Sequence, residues 1–254
     1  MPSRTIDLHS HPVPCVDDGP ATWEEARALL DGMAARMPPG SLVIATPHLP
    51  LSTGSRVRES QDRRIGEFLS FANPPGGSGP RVLAGREVLL DTGRPAAGRL
   101  DALCLPGTSW VLVELPPDLG WLAARRRVRS VIRHGLRPLL AHPERYRWCR
   151  SRPERLLALG DLGAGIQVSA RSLRDTGPVG AAARLLLETG LAHVVGSDAH
   201  SAEDPLLSPE LAATVEEIRP GAFRTMTVEM PGRILDDRPL PPLPLAVGDT
   251  GSPG

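Results

Sequence analysis

The stretch TIDLHSHPVPCVDDG, Thr5 to Gly19, poses the question on which the fold turns. An apolar run delivers His9 and His11 into a loop that carries Asp17 and Asp18. On a strand, side chains two apart point to one face, so the two imidazoles share a side. An edge strand running into a polar turn would account for this stretch alone. So would a metal site that begins near the N-terminus. The rest of the chain has to decide between them.

Seven short apolar, β-rich runs recur: RTIDLHS, SLVIATP, RVLAGREVLL, WVLVEL, RPLLAHP, AGIQVSA and AHVVGSD. Helical patterns fall mostly between them. Thr22 and Glu25 fit a capping box ahead of EEARALLDGMAARM. A second helix is expected around Arg58 to Phe71. A third, Trp121 to His134, is strongly basic outside and ends at Gly135, a suitable residue just past a helix C-terminus. PERLLALGDL, VGAAARLLLETG and SPELAATVEEI supply the others. This alternation predicts an α/β protein with a parallel sheet. Seven units with little chain left over favour a barrel-like closure over two separate domains. One domain over residues 1–235 is expected, with 236–254 as a Pro/Gly-rich tail that lacks order in its last ten or so residues. NPPGGSGP, Asn73 to Pro80, reads as a loop.

The chemistry collects where the runs end. The first ends in His9 and His11, the second in His48, the fourth in Glu114, the fifth in His142 and the seventh in Asp198 and His200; the third contains Glu87. In a parallel barrel those ends form one rim, the place where active sites sit. Imidazole and carboxylate donors without thiolate suit manganese, iron, zinc or magnesium. A central glutamate can bridge two ions, and a pair of ions about 3.5–4 Å apart can hold a shared hydroxide and clamp a phosphoryl group. Glu114 lies within an apolar strand, where a carboxylate is costly unless paired or metal-bound. Each motif alone is weak; five of the seven histidines at strand ends are not. His134 sits at a helix C-terminus, where the dipole favours it. His193 opens a strand away from the rim. Neither belongs to the site.

Composition closes other routes. The net charge is zero and there is no long basic run, so nucleic-acid and membrane-surface roles gain no support. All 29 basic residues are arginine, which excludes a lysine Schiff base and a lysine-bearing P-loop. Cys15, Cys104 and Cys149 match no disulfide framework, in keeping with a reducing, cytoplasmic home. No apolar run approaches a membrane span, and only four residues precede Thr5, which leaves no signal peptide to expect. Cys149 and Arg155 have the C-x5-R spacing of cysteine-dependent phosphatases. The intervening RSRPE has no glycine, however, and contains Pro153, which has no N–H to offer a phosphate.

IDLHSH…VDDGP, ATPH, GREV, VELP, AHPERY and GSDAH stand in this order from about Ile6 to His200. The chain thereby resembles the PHP (polymerase and histidinol phosphatase) superfamily, and within it the metal-dependent bacterial protein-tyrosine phosphatases of capsule and exopolysaccharide loci. The resemblance implies a distorted TIM-like (β/α)7 barrel and three divalent metals, manganese foremost. It implies a first ion on His9, His11, Glu87 and Asp198, a second on Glu87, Glu114 and His142, and a third on Asp18, His48 and His200. Asp17 competes with Asp18, which is preferred as the second Asp of DDG. Arg145 would contact phosphate, since its planar fork binds oxyanions bidentately. The implied reaction is phosphomonoester hydrolysis by a metal-bridging hydroxide without a phospho-enzyme. The implied substrate is the tyrosine-rich tail of a bacterial tyrosine kinase, with a small phosphate ester of the histidinol-phosphate kind, or ligand binding without catalysis, as rivals. Self-assembly is compatible with this family. The sequence departs from the pattern after His48, where Leu49, Pro50 and Leu51 follow, and after His200, where Glu203 and Asp204 stand. Both changes remove positive charge near the expected phosphate.

Overall fold

All seven apolar runs form strands; the second leads directly into a further one, and the third forms two. The computed structural model describes residues 1–92 and 103–244. β1 (Ile6–Ser10) comes first. The second run forms β2 (Leu42–Ala45) and leads past Pro47 into β3 (His48–Pro50), and the third splits into β4 (Arg81–Ala84) and β5 (Glu87–Leu89). Then follow β6 (Trp110–Glu114), β7 (Arg137–Ala141), β8 (Gly165–Ser169) and β9 (Val194–Gly196). The breaks have local causes. Pro47 has no N–H to give a ladder. A Cβ on Gly85 would lie 2.6 Å from Ile44 Cγ2, so glycine alone lets the two broken runs come this close.

Every strand pairing among the described residues is parallel. β1-β2-β4 form one sheet and β3-β5-β6-β7-β8-β9 the other. The broken runs therefore contribute to both sheets. The ends of the chain's strand order also meet: Ser10 bridges Ala199, His11 N donates to Ala199 O at 2.8 Å, and Asp198 N donates to His9 O at 2.8 Å. The architecture is a mixed α/β fold with parallel sheets. It differs from the single closed barrel expected from the sequence, because the ladders divide at Pro47 and Gly85 into two sheets.

β6 shows why the runs are so apolar. Val111 and Val113 join the large cluster under the helices, while Trp110 and Leu112 join a second cluster with Leu8, Ile44, Leu139 and Ile234. Both faces are buried, as parallel sheets require. The helices follow the expected periods. In α1 (Trp23–Arg36), Thr22 Oγ1 accepts from Glu25 N at 3.2 Å, while Glu25 reaches back one residue further than a capping box, to Ala21 N. α2 spans Ser55–Ala72 and α3 Trp121–Arg133, the latter ending at Gly135 with φ +79°. Short α4 (Arg147–Ser151), α5 (Arg155–Gly160) and α6 (Ala170–Arg174) follow, then α7 (Pro178–Glu188) and α8 (Pro209–Ile218). Helical turns over Ala222–Leu235 close the domain. Asp236–Pro244, the start of the expected tail, lies against the sheet's lower end. Ser109 N donates to Asp237 Oδ1 at 2.8 Å, and Leu243 is buried against Gly160. The rest of that tail lies outside the described residues. No helix among the described residues is long and apolar enough to cross a membrane.

Candidate metal centre

Nine side chains named from the sequence meet at the strand ends, with Glu87 at their middle. Glu87 opens β5 and pairs in register with His48. Its Oε1 lies 2.8 Å from His142 Nε2; its Oε2 lies 3.0 Å from His9 Nε2, 3.3 Å from His11 Nε2 and 3.1 Å from His48 Nδ1. Glu114 Oε1 is 3.1 Å from the same His48 nitrogen. Asp198 Oδ1 lies 3.6 and 3.7 Å from the Nε2 atoms of His9 and His11. Asp18 Oδ1 is 3.1 Å from His200 Nε2 and 3.4 Å from His48 Nε2.

The tautomers tell what these atoms are for. Gln167 Nε2 donates to Val168 O, which leaves its Oε1 to accept from His9 Nδ1 at 3.0 Å. Asp17 Oδ2 accepts from His11 Nδ1 at 2.8 Å. Both rings, when neutral, thus turn a lone pair on Nε2 toward the other, 3.0 Å away. Two facing lone pairs repel; a cation between them, with Glu87 and Asp198 beside it, resolves the conflict. The donor set therefore fits divalent metal, and the outer carboxylate and amide are the orienting partners that metal-bound histidines need.

The electrostatics agree. Burial opposes charge on His9, yet Glu87 and Asp198 outweigh it and raise its pKa to about 10. His48 is raised in the same way to about 9, with Glu114 and Glu87 overcoming burial. Burial would also raise the pKa of Glu87, but His9 and His142 hold it well below the carboxylate range. This is a buried field that demands positive charge.

Four overlapping donor groups arise among the described residues: His11, Asp18, His48 and His200; His9, His11 and Asp198; His9, Glu87 and His142; and His48, Glu87 and Glu114. Asp18, rather than Asp17, joins such a group. Asp17 instead orients His11 and accepts from His48 N at 3.0 Å. The grouping differs from the expected one at several points: His11 also joins Asp18, His48 and His200, and Glu87 is absent from the group of His9, His11 and Asp198. His142 falls with His9, and Glu114 with His48, while Glu87 belongs to both.

Backbone strain marks the same place. His142 has φ +33° and Asp198 φ +54°, a left-handed conformation that side-chain-bearing residues rarely adopt. Such strain costs about 1–3 kcal/mol per residue and persists where function holds it. Gly19 lets the DDGP loop fold back, since a Cβ there would lie 2.3 Å from His11 O.

Arg145, in the turn after β7, pairs with Asp198 Oδ2 and is half-buried. The sequence reading weighed Asp17 only as a rival ligand to Asp18, and it missed Gln167 and Arg171 as members of this site. Arg171, in α6, sets Nη1 2.8 Å from His200 Nδ1 and Nε 3.2 Å from Asp204 Oδ1. It brings a guanidinium from the β8 end to the place where Glu203 and Asp204 remove charge. The SARSLR run offered only an arginine after a strand as a signal. The excluded residues stay out. His193 donates from Nε2 to Pro241 O and accepts at Nδ1 from Ile166 N. His134 binds Ser130 O on its own helix. Cys149 is buried, which pushes its thiol pKa far up, and Arg155 stands over the Trp121 ring instead of a phosphate loop.

Parallel strands whose ends gather imidazoles and carboxylates around one buried glutamate define an α/β protein with a cluster of donors that could hold metal. Comparison with known proteins narrows this further. Residues 5–234 match the family model described as capsular polysaccharide synthesis, CpsB/CapC, and the chain belongs to that family. It is 31% identical over 204 residues to the tyrosine-protein phosphatase YwqE of Bacillus subtilis (strain 168), covering 77% of each chain. It is 25% identical to the tyrosine-protein phosphatase CpsB of Streptococcus pneumoniae, covering 92% of this chain and 99% of the relative. A solved chain from work on YwqE and CpsB, described as unique metal-dependent tyrosine phosphatases, superposes with a TM-score of 0.73 at 26% identity. That match covers 94% of this chain and 99% of the solved one.

Proposed function

We propose that this chain is a metal-dependent protein-tyrosine phosphatase that acts, in the cytoplasm, on a tyrosine kinase of polysaccharide biosynthesis. Residues 1–235 would form its one catalytic domain. The two sheets then act as a single distorted seven-unit barrel, with the split runs shared between them and the Ser10–Ala199 bridge tying first strand to last. The observation that carries the reading is Glu87, whose two oxygens stand within 3.3 Å of nitrogens from four histidines.

His9, His11, Asp18, His48, Glu87, Glu114, His142, Asp198 and His200 would hold divalent ions, three in number, with manganese first and iron, zinc or magnesium as alternatives. Such ions supply a water acidified to near-neutral pH and charge to neutralise phosphoryl oxygens. The chain does the rest. Arg145 and Arg171 offer planar forks to the phosphate from two sides of the rim. Gln167 and Asp17 fix the tautomers of His9 and His11. A phenolate leaving group, with a pKa of about 10, departs with less help from an acid than an alkoxide needs.

Metal analysis and turnover test this together. Purified protein saturated with Mn should bind at least two ions per chain and hydrolyse a phosphotyrosine peptide faster than histidinol phosphate. Preference for histidinol phosphate would assign a small-molecule phosphatase instead. Bound metal with no turnover on either substrate or on an aryl phosphate would leave a binding module.

A further inference from the structure

Beside the metal centre lies a groove of about 780 Å³ that the chemistry above does not use. Its walls are the loop after β6 with the start of α3, and α4 with the start of α5. Trp121, Leu122, Arg126, Arg147, Trp148 and Arg155 line it. Only 3% of the chain is aromatic, with one Tyr and four Trp in all, yet that Tyr and two of the Trp gather here. The rings of Trp121 and Trp148 are 5.2 Å apart, and Tyr146 stacks under Trp148 at 5.6 Å and 11°. Tyr146 Oη accepts from Leu115 N at 2.9 Å, which locks the two walls together.

The rim is basic. Arg126 and Arg147 are exposed, and among the described residues neither has a carboxylate within salt-bridge distance. Asp118 is the only acid in the lining. α3 carries five arginines and no acid, and Arg126, Arg129 and Arg133 are exposed at helical spacing, so the positive stripe runs on from the groove. In a chain of zero net charge, this concentration is local.

Position supplies the link to the site. Leu115 directly follows Glu114, and Arg147 stands two residues after Arg145. A polypeptide with one side chain at the metal centre would leave along these two loops. We propose that the groove docks an acidic, extended segment flanking the phosphotyrosine of the protein substrate. The proposal rests on the phosphatase reading. Trp121 and the exposed Leu122, backed by the buried stack of Trp148 on Tyr146, provide an apolar floor for side chains, and guanidiniums on the rim take carboxylates as bidentate partners. Exposed rim charges act mainly on encounter and selectivity.

The test uses the full chain with Mn and two phosphotyrosine peptides that differ only in Glu or Gln flanks. At low salt the Glu peptide should show about tenfold higher kcat/KM, carried by KM, a gain of about 1.4 kcal/mol. The variant Arg126→Glu/Arg147→Glu should erase that preference and leave kcat/KM for a small aryl phosphate unchanged. Titration with an unphosphorylated Glu-rich peptide, read by tryptophan fluorescence, gives binding apart from turnover. Equal kcat/KM for the two peptides, no effect of charge reversal, or tighter binding of oligodeoxythymidylate than of the Glu peptide overturns the proposal. Fluorescence-detected Glu-peptide binding that charge reversal abolishes, with no turnover of any phosphate ester, supports the groove and removes the phosphatase reading instead.

Discussion

Two neighbouring aspartates with different tasks show how finely the centre is divided. Asp18 stands among His11, His48 and His200, whereas Asp17 holds the far nitrogen of His11. Asp18→Asn should therefore lose an ion even in saturating Mn. Asp17→Asn should keep full stoichiometry with metal affinity weaker by about 10–100-fold; metal titration followed by elemental analysis separates the two. The buried thiol gives a second contrast. Cys149→Ser should leave aryl phosphate turnover unchanged, and His11→Ala should abolish it; the opposite pair of results would move the chemistry to cysteine. The donor types that gather here were legible in the sequence only as a set, since HxH, SDAH and Glu114 are each weak alone and five of seven histidines at strand ends are not. Gln167 and Asp17 were not legible as orienting partners. Their roles depend on which nitrogen of a ring they meet, and that is set by a strand 158 residues away and a loop six residues away from the histidines they orient. The positive φ of His142 and Asp198 is likewise invisible in a residue string.

At the scale of elements, strands and helices were largely readable from period and punctuation, and the misses are bends. SLVIATP with the HLP that follows it, and RVLAGREVLL, look like single strands until Pro47 and Gly85 turn them from one sheet into the other. Periodicity does not register a change of partner. Short α4 and α6 also escaped, since five residues carry too little of a helical period to see. The segment after Asp236 was read from composition as a tail, yet Pro241 O is bound by His193. That contact makes a pH prediction. Burial lowers the pKa of His193 from 6.5, with the Pro241 carbonyl working the other way. A lowered histidine pKa means stability is intact above about pH 6.5 and declines as pH falls below it, because the unfolded chain takes the proton first. Protonation would also cost Ile166 N its acceptor. Amide-exchange protection factors at Ile166 and across 236–244 should fall below about pH 6.5, and His193→Gln should flatten that dependence.

For the whole molecule, the proposed ligands come from both ends of the fold, so metal and stability should be strongly linked. At an ion concentration 100-fold above Kd, each site bound only in the folded state adds about 2.7 kcal/mol. For a domain of this size that is roughly 5–10 °C in Tm. Chelation should lower Tm by at least that much, with Mn restoring it in the parent chain and not in Glu87→Gln; a Tm indifferent to chelator would separate the cluster from metal altogether. The bridge between Ser10 and Ala199 carries one more consequence, in the time domain. The sequence separation across this contact is nearly the whole domain, and contacts of such long range form late. As the chain leaves the ribosome, His9 and His11 emerge first and wait until Asp198 arrives. No shortened product lacking β9 can assemble the full cluster, so the protein gains its chemistry only once synthesis has passed the last strand.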